Sequence, residues 1–132
     1  MKKLKSTLFK WFLNIYPHYL GSGIFVNYIA TDYREIIIKM KMHWYNRNYV
    51  RTHFGGSLYA MIDPFYMLML IQILGKGYIV WDKAAKIDFI KPGTGTLTAR
   101  FTLDERQIET IRQQTVDDQK YLVDYVVEIV NE

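Results

Sequence analysis

At 132 residues the chain fits one folded domain, and its 50% hydrophobic and 16% aromatic content supplies a real core, which argues against disorder. The net charge is +4, but Lys2, Lys3, Lys5 and Lys10 carry it within ten residues that hold no acid; the other 13 basic residues match the 13 acidic ones, so no nucleic-acid partner is expected. The absence of cysteine removes disulfides, thiolate nucleophiles and cysteine metal sites, and fits a cytoplasmic setting.

The first predicted element is a basic amphipathic helix over 1–16, with Leu4, Leu8, Trp11, Phe12 and Ile15 on one stripe. Lys10 interrupts the apolar run and no small-residue cleavage site follows, so the segment does not read as a signal peptide. The stripe is expected to be buried against the domain; a membrane-surface helix is the second reading of the same residues. Pro17, Gly21 and Gly23 are expected to stop the helix. Residues 24–29 and 34–44 read as strands, with Asp32 in the turn between them. In the second, Ile38, Met40, Met42 and Trp44 alternate with Lys39, Lys41 and His43, one buried face and one wet. A polar loop follows, from Asn46 to Gly56.

Over 57–74 the apolar side chains point in nearly every direction, so a helix there must be surrounded. Asp63 and Pro64 interrupt it, and 65–74 alone is too short to span a bilayer, so a curved sheet is expected around it instead. Pro64 predicts a kink at Asp63 that frees the Ala60 carbonyl. Ala85, Ile87 and Phe89, then Leu97, Ala99, Phe101 and Leu103, alternate with polar residues on either side of Pro92-Gly93, which predicts a hairpin. A short helix over 104–114 has Asp104 as its cap and Ile108 and Ile111 inward. Residues 121–130 read as a last strand. This order predicts an α+β fold with one long central helix wrapped by a curved antiparallel sheet. Leu97, Ala99, Phe101, Val123 and Tyr125 are expected beneath that helix, and a dimer is expected to cover the apolar surface left over. His18, His43 and His53 lack metal-ligand spacing, so no metal is expected, and Gly55-Gly56-Ser57-Leu58-Tyr59 fails the GxSxG pattern of serine hydrolases.

Asn48, the Gly55-Gly56 pair opening a buried helix, and Asp63 two turns into it resemble the hotdog-fold thioesterase pattern, as does Lys86-Ile87-Asp88-Phe89-Ile90-Lys91-Pro92-Gly93 with the strand after it. More narrowly, Trp44-Tyr45-Asn46-Arg47-Asn48-Tyr49-Val50, His53-Phe54-Gly55-Gly56-Ser57-Leu58-Tyr59-Ala60 and Ile79-Val80-Trp81-Asp82-Lys83-Ala84-Ala85 are similar to a bacterial hotdog family of unknown function. Its members are often called tetrameric acyl-CoA thioesterases or thioesterase-like proteins. The resemblance runs from about Leu13 onward and implies one hotdog domain over 1–132, a homodimer or homotetramer, an acyl-CoA thioester as substrate and no cofactor. Two departures stand out. Many hotdog thioesterases place histidine directly before the two glycines, where this chain has Phe54, with His53 one residue earlier. The family also continues past Val130 into a further strand, whereas this sequence stops at Glu132: either the sheet is one strand shorter, with its edges closed some other way, or the sequence is truncated.

Thioester hydrolysis needs a polarised carbonyl and an activated water. Gly55 and Gly56 suit the first task, because backbone N–H groups at a helix start lack intrahelical partners and glycine admits close approach; a plain loop-to-helix turn is the alternative. Asp63 suits the second, since a carboxylate in an apolar helix is either functional or held by a structural hydrogen bond. Asn48 could position the water or the thioester, with Asn46 as its rival, and both could be turn residues. His53, Phe54 and Ser57 flank the glycines as candidate substrate-binding residues. Arg51 and Lys91, with Arg47 and Lys86, are candidate cations for the coenzyme A phosphates or else surface charges. A non-catalytic acyl-CoA or lipid binder is the alternative function.

Overall fold

A computed structural model describes the backbone of residues 2–132 and the side chains of 5–132. Two helices lead: α1, Lys2–Asn14, and α2, Pro17–Ser22. Pro17 therefore starts a second helix rather than only stopping the first. Its missing N–H and fixed φ suit a first helical turn, and Gly23, with φ 75°, ends that helix.

Strands β1, Ile24–Ile29, and β2, Glu35–Met40, form an antiparallel pair around the predicted turn, where the Arg34 N–H donates to the Asp32 carboxylate at 3.1 Å. The central helix comes next as α3, Gly55–Ala60, and α4, Phe65–Leu74. It is broken at 61–64, where Pro64 has no N–H to return to Ala60. Strand β3, Leu97–Thr102, lies beside β2. Helix α5, Glu105–Gln114, starts on a capping box in which Asp104 and Gln107 exchange hydrogen bonds. Strand β4, Ile129–Asn131, closes the order β1-β2-β3-β4, antiparallel throughout.

The sheet's inner face is the alternating set Ile36, Ile38 and Met40 of β2 with Leu97, Ala99 and Phe101 of β3, all buried, while Arg100 is exposed. Phe65 of α4 packs on Phe101 with ring centroids 5.3 Å apart, and Met61 and Met69 are fully buried beside it. Gly55–Leu74 is long and apolar enough to cross a membrane by length and composition alone. Its break and its packing on the sheet give the same apolarity a use inside the protein.

Four expectations need correcting. The second strand ends at Met40, not Trp44: Lys41 still bonds its N–H to the Gly23 carbonyl in the ladder's register, and the chain then turns at 43–46, where the Asn46 N–H bonds the His43 carbonyl and the Asn46 side chain accepts from the His43 N–H. The hairpin over 85–103 does not form: Leu97–Thr102 pairs with β2, and Ala85, Ile87 and Phe89 join no ladder. Of the last predicted strand only the segment from Ile129 is in the sheet. Val123 is accordingly exposed, although Tyr125 still stacks on Tyr66 with ring centroids 4.3 Å apart. Finally, α1 turns the predicted stripe outward, with Leu8, Trp11, Phe12 and Ile15 exposed; the side chains of Lys2, Lys3 and Leu4 lie outside the described residues. The opposite face docks because β1 has backbone groups to satisfy. The Asn14 amide donates to the Val26 carbonyl at 3.1 Å and accepts from the Val26 N–H at 2.6 Å, and Lys10 donates to the carbonyl of Asn27, at the bulge in β1, at 2.6 Å. These bonds give partners to backbone groups on the open edge of β1.

Candidate functional site

The polar loop between β2 and α3 carries most of the candidate residues. Asn46 is buried and fully bonded: its oxygen accepts from the His43 N–H at 2.7 Å, and its amide donates to the carbonyls of Ser22 at 2.9 Å and Lys41 at 2.6 Å. It is a clamp between the segment entering β1 and the segment leaving β2. Asn48 organises the next turn. Its oxygen accepts from Val50 and Thr52 N–H groups at 3.1 and 3.0 Å, and its amide donates to the Thr52 hydroxyl at 2.9 Å. That leaves one amide hydrogen of Asn48 without a partner among the described residues. Arg51, at the turn's end, adopts φ 64° and is exposed.

His53 is buried, not at the surface. Its Nε2 lies 2.6 Å from the Gly95 carbonyl and its backbone N–H donates to Gly93 at 2.9 Å, so the ring joins the loop before α3 to the loop before β3. The carbonyl fixes the proton on Nε2 and leaves Nδ1 buried without a partner among the described residues.

At the helix start the Phe54 carbonyl accepts from the Ser57 and Leu58 N–H groups at 2.9 and 3.1 Å. The Gly55 and Gly56 amides precede any intrahelical acceptor. Exposed rings crowd both glycines. A Cβ on Gly56 would lie 2.6 Å from the Phe54 ring, and one on Gly55 would lie 3.2 Å from the ring of Phe89. Phe54, Ser57, Asn46, Arg47, Asn48 and Ser22 line a shallow groove of about 200 Å³ at this point. The structure thus gathers Asn48, Phe54 and Ser57 at the mouth of α3, with Gly55 and Gly56 next to them in the chain. Lys91 is exposed, and Lys86 is engaged by Asp88 at 3.3 Å.

Asp63 stands at the helix break, exposed, its N–H on the Tyr59 carbonyl at 2.9 Å. The Tyr59 phenol sits against the Asp63 carboxylate, whose hydrogen bond and charge push its pKa up. Burial, and then the same carboxylate, raise Asp82. Burial, then Asp63, then Tyr16 push Tyr19 up to about 12. Tyr59, Asp82 and Tyr19 are the residues that sequence reasoning missed. Tyr59 was within reach, one helical turn before Asp63; Tyr19 and Asp82 are brought near only by the fold.

A central helix held on an antiparallel sheet in this arrangement is the hotdog fold. The chain belongs to the family described as a domain of unknown function, DUF4442, whose profile matches residues 5–131. Two solved structures share the fold. One is a protein of unknown function from Pseudomonas aeruginosa, PA5026, described as a probable thioesterase: TM-score 0.63 at 15% identity, over 87% of this chain and 74% of that one. The other is a mutant of the phenylacetic acid degradation protein PaaI from Thermus thermophilus: TM-score 0.50 at 21% identity, over 68% of this chain and 77% of that one. No curated protein matches the sequence.

Proposed function

We propose that this chain is a single hotdog domain that hydrolyses acyl thioesters, with acyl-CoA as the substrate class and no resident cofactor, acting as a cytoplasmic homodimer or homotetramer. Asp63 is the general base: it takes a proton from water as the oxygen attacks the thioester carbon. The Gly56 N–H, with Gly55 beside it, receives the developing oxyanion. Collapse of the tetrahedral intermediate expels the coenzyme A thiolate, which is then protonated, and releases the fatty acid. Asn48 positions the water through its remaining amide hydrogen. Phe54 and Ser57 border the acyl group, His53 holds the loop behind them, and Arg51 and Lys91 meet the coenzyme A phosphates.

The observation that carries this reading is the Asp63 carboxylate, exposed at a break in an otherwise apolar helix, on a fold shared with a probable thioesterase. The test is steady-state hydrolysis across acyl-CoA chain lengths, repeated with Asp63→Asn. Turnover that falls about 100-fold or more in the variant, with KM little changed, supports it. One observation favours a second reading, an acyl-CoA or lipid binder without turnover: aromatic rings of Phe54 and Phe89 crowd the two glycines. Saturable binding with no hydrolysis by the wild type would select that reading.

A further inference from the structure

Leu8, Trp11, Phe12 and Ile15 recur at three- and four-residue spacing along α1 and are between 61% and 69% exposed. This is not loose docking. The helix is fixed by its other face, where Leu13 and Ser6 are buried, Phe9 meets the Tyr33 ring edge-on at 6.1 Å, and Asn14 and Lys10 hold β1. A rigidly held helix therefore presents four large apolar side chains to its surroundings.

Along this segment of the chain the charge has one sign. From residue 1 to residue 31 the chain has four lysines and neither aspartate nor glutamate; Asp32 is the first acid. Lys5 is exposed on α1, while Lys10 is spent on Asn27. A second copy would bring the same lysine-rich segment to a two-fold contact, like charge against like. An anionic lipid surface is complementary to it, and Trp and Phe on a lysine-flanked helix suit the boundary between headgroups and acyl chains.

We propose that α1 is a membrane-surface helix: its outward stripe of Leu8, Trp11, Phe12 and Ile15 enters the interface of a bilayer rich in anionic phospholipid, and the lysine-rich segment holds it there. The helix lies in the plane of the surface, about 20 Å long. This inference is independent of the thioester chemistry.

The experiment is flotation of the full chain with vesicles of phosphatidylcholine alone, or with about a third phosphatidylglycerol. The wild type is expected to float with the anionic vesicles and to be released as salt is raised. Three variants accompany it. Trp11→Glu with Phe12→Glu should abolish flotation while leaving the thermal melt unchanged, since both side chains face water. Lys5→Glu, which keeps the stripe, should weaken binding to anionic vesicles about tenfold or more. Trp44→Glu, which alters an exposed tryptophan outside α1, should float like the wild type. The proposal is overturned if the wild type ignores both vesicle types, or if the double variant floats as well as the wild type. It is equally overturned if light scattering shows the double variant losing a subunit contact while vesicle binding is unchanged, which would make the stripe a protein interface.

Discussion

Gly23 carries two constraints at once. Its φ of 75° is strained for any residue with a Cβ, and that Cβ would lie 2.3 Å from the Asn46 amide nitrogen and 2.9 Å from the Lys41 carbonyl. Gly23→Ala is therefore expected to lower unfolding free energy by about 2–4 kcal/mol, from backbone strain plus displaced buried hydrogen bonds. Asn46→Ala should cost a similar amount, and the double variant less than the two together, because both break one clamp. Urea titration of the four proteins checks this; strict additivity would refute the clamp. Sequence marked Gly23 as a stop for the first helix, whereas it caps the second, and could not separate Asn46 from Asn48. Both are amides in a polar loop, and the Ser22 carbonyl that distinguishes Asn46 is brought to it only by the fold. Tyr19 gives a pH signature. It is buried against Phe65, with centroids 6.0 Å apart, and its hydroxyl is pushed from the usual 10.0 to about 12. The folded state thus favours the neutral phenol. Its contribution to stability is complete below the unfolded value and is lost as pH rises from 10 towards 12, about 2 kcal/mol in all. Denaturation midpoints across that window should fall for the wild type and fall less for Tyr19→Phe; equal slopes would place the effect elsewhere.

At the level of elements, the register of β3 decides whether the core exists. Ala99 is fully buried opposite Ile38, and Thr102 is exposed opposite Glu35. Ala99→Asp would bury a carboxylate with nothing to pair it and should cost more than about 4 kcal/mol, enough to abolish folding. Thr102→Lys should be tolerated and show near-wild-type circular dichroism and melting. The reverse pattern would mean a register shifted by one residue. Alternation made this strand legible, and the Asp104 cap made α5 legible. Pattern failed where it names a face without naming a neighbour. Ala85, Ile87 and Phe89 alternate as well as Leu97, Ala99 and Phe101 do, but no strand lies beside them. The α1 stripe failed for a related reason. Periodicity identified the stripe, but it could not show that the opposite face carries the hydrogen bonds to Val26 and Asn27.

On the scale of the whole molecule, a single chain leaves much apolar surface uncovered. Ile79, Trp81, Phe89 and Ile90, between α4 and β3, are all exposed, and Ile90 reaches 94%. Such a surface fits an oligomer, and the spacing of the proposed catalytic groups asks for one. Asp63 is seven residues beyond Gly56 and past the end of α3, a separation of roughly 10 Å by helical rise, whereas a base and an oxyanion donor must each come within about 3 Å of one reacting group. A two-fold dimer with antiparallel central helices would set each chain's Asp63 against its partner's Gly56. Asn48, seated at the mouth of α3, would act with its own chain's glycines. Chain spacing alone proposes this division, and complementation tests it. Asp63→Ala and Asn48→Ala proteins, each shown to be folded and inactive, are unfolded and refolded together. If the site is shared, each mixed dimer has one site with both lesions and one intact site. Random mixing makes about half of the dimers mixed, so about a quarter of wild-type activity should return. If Asn48 and Asp63 serve the same site from one chain, every site keeps a lesion and no activity returns.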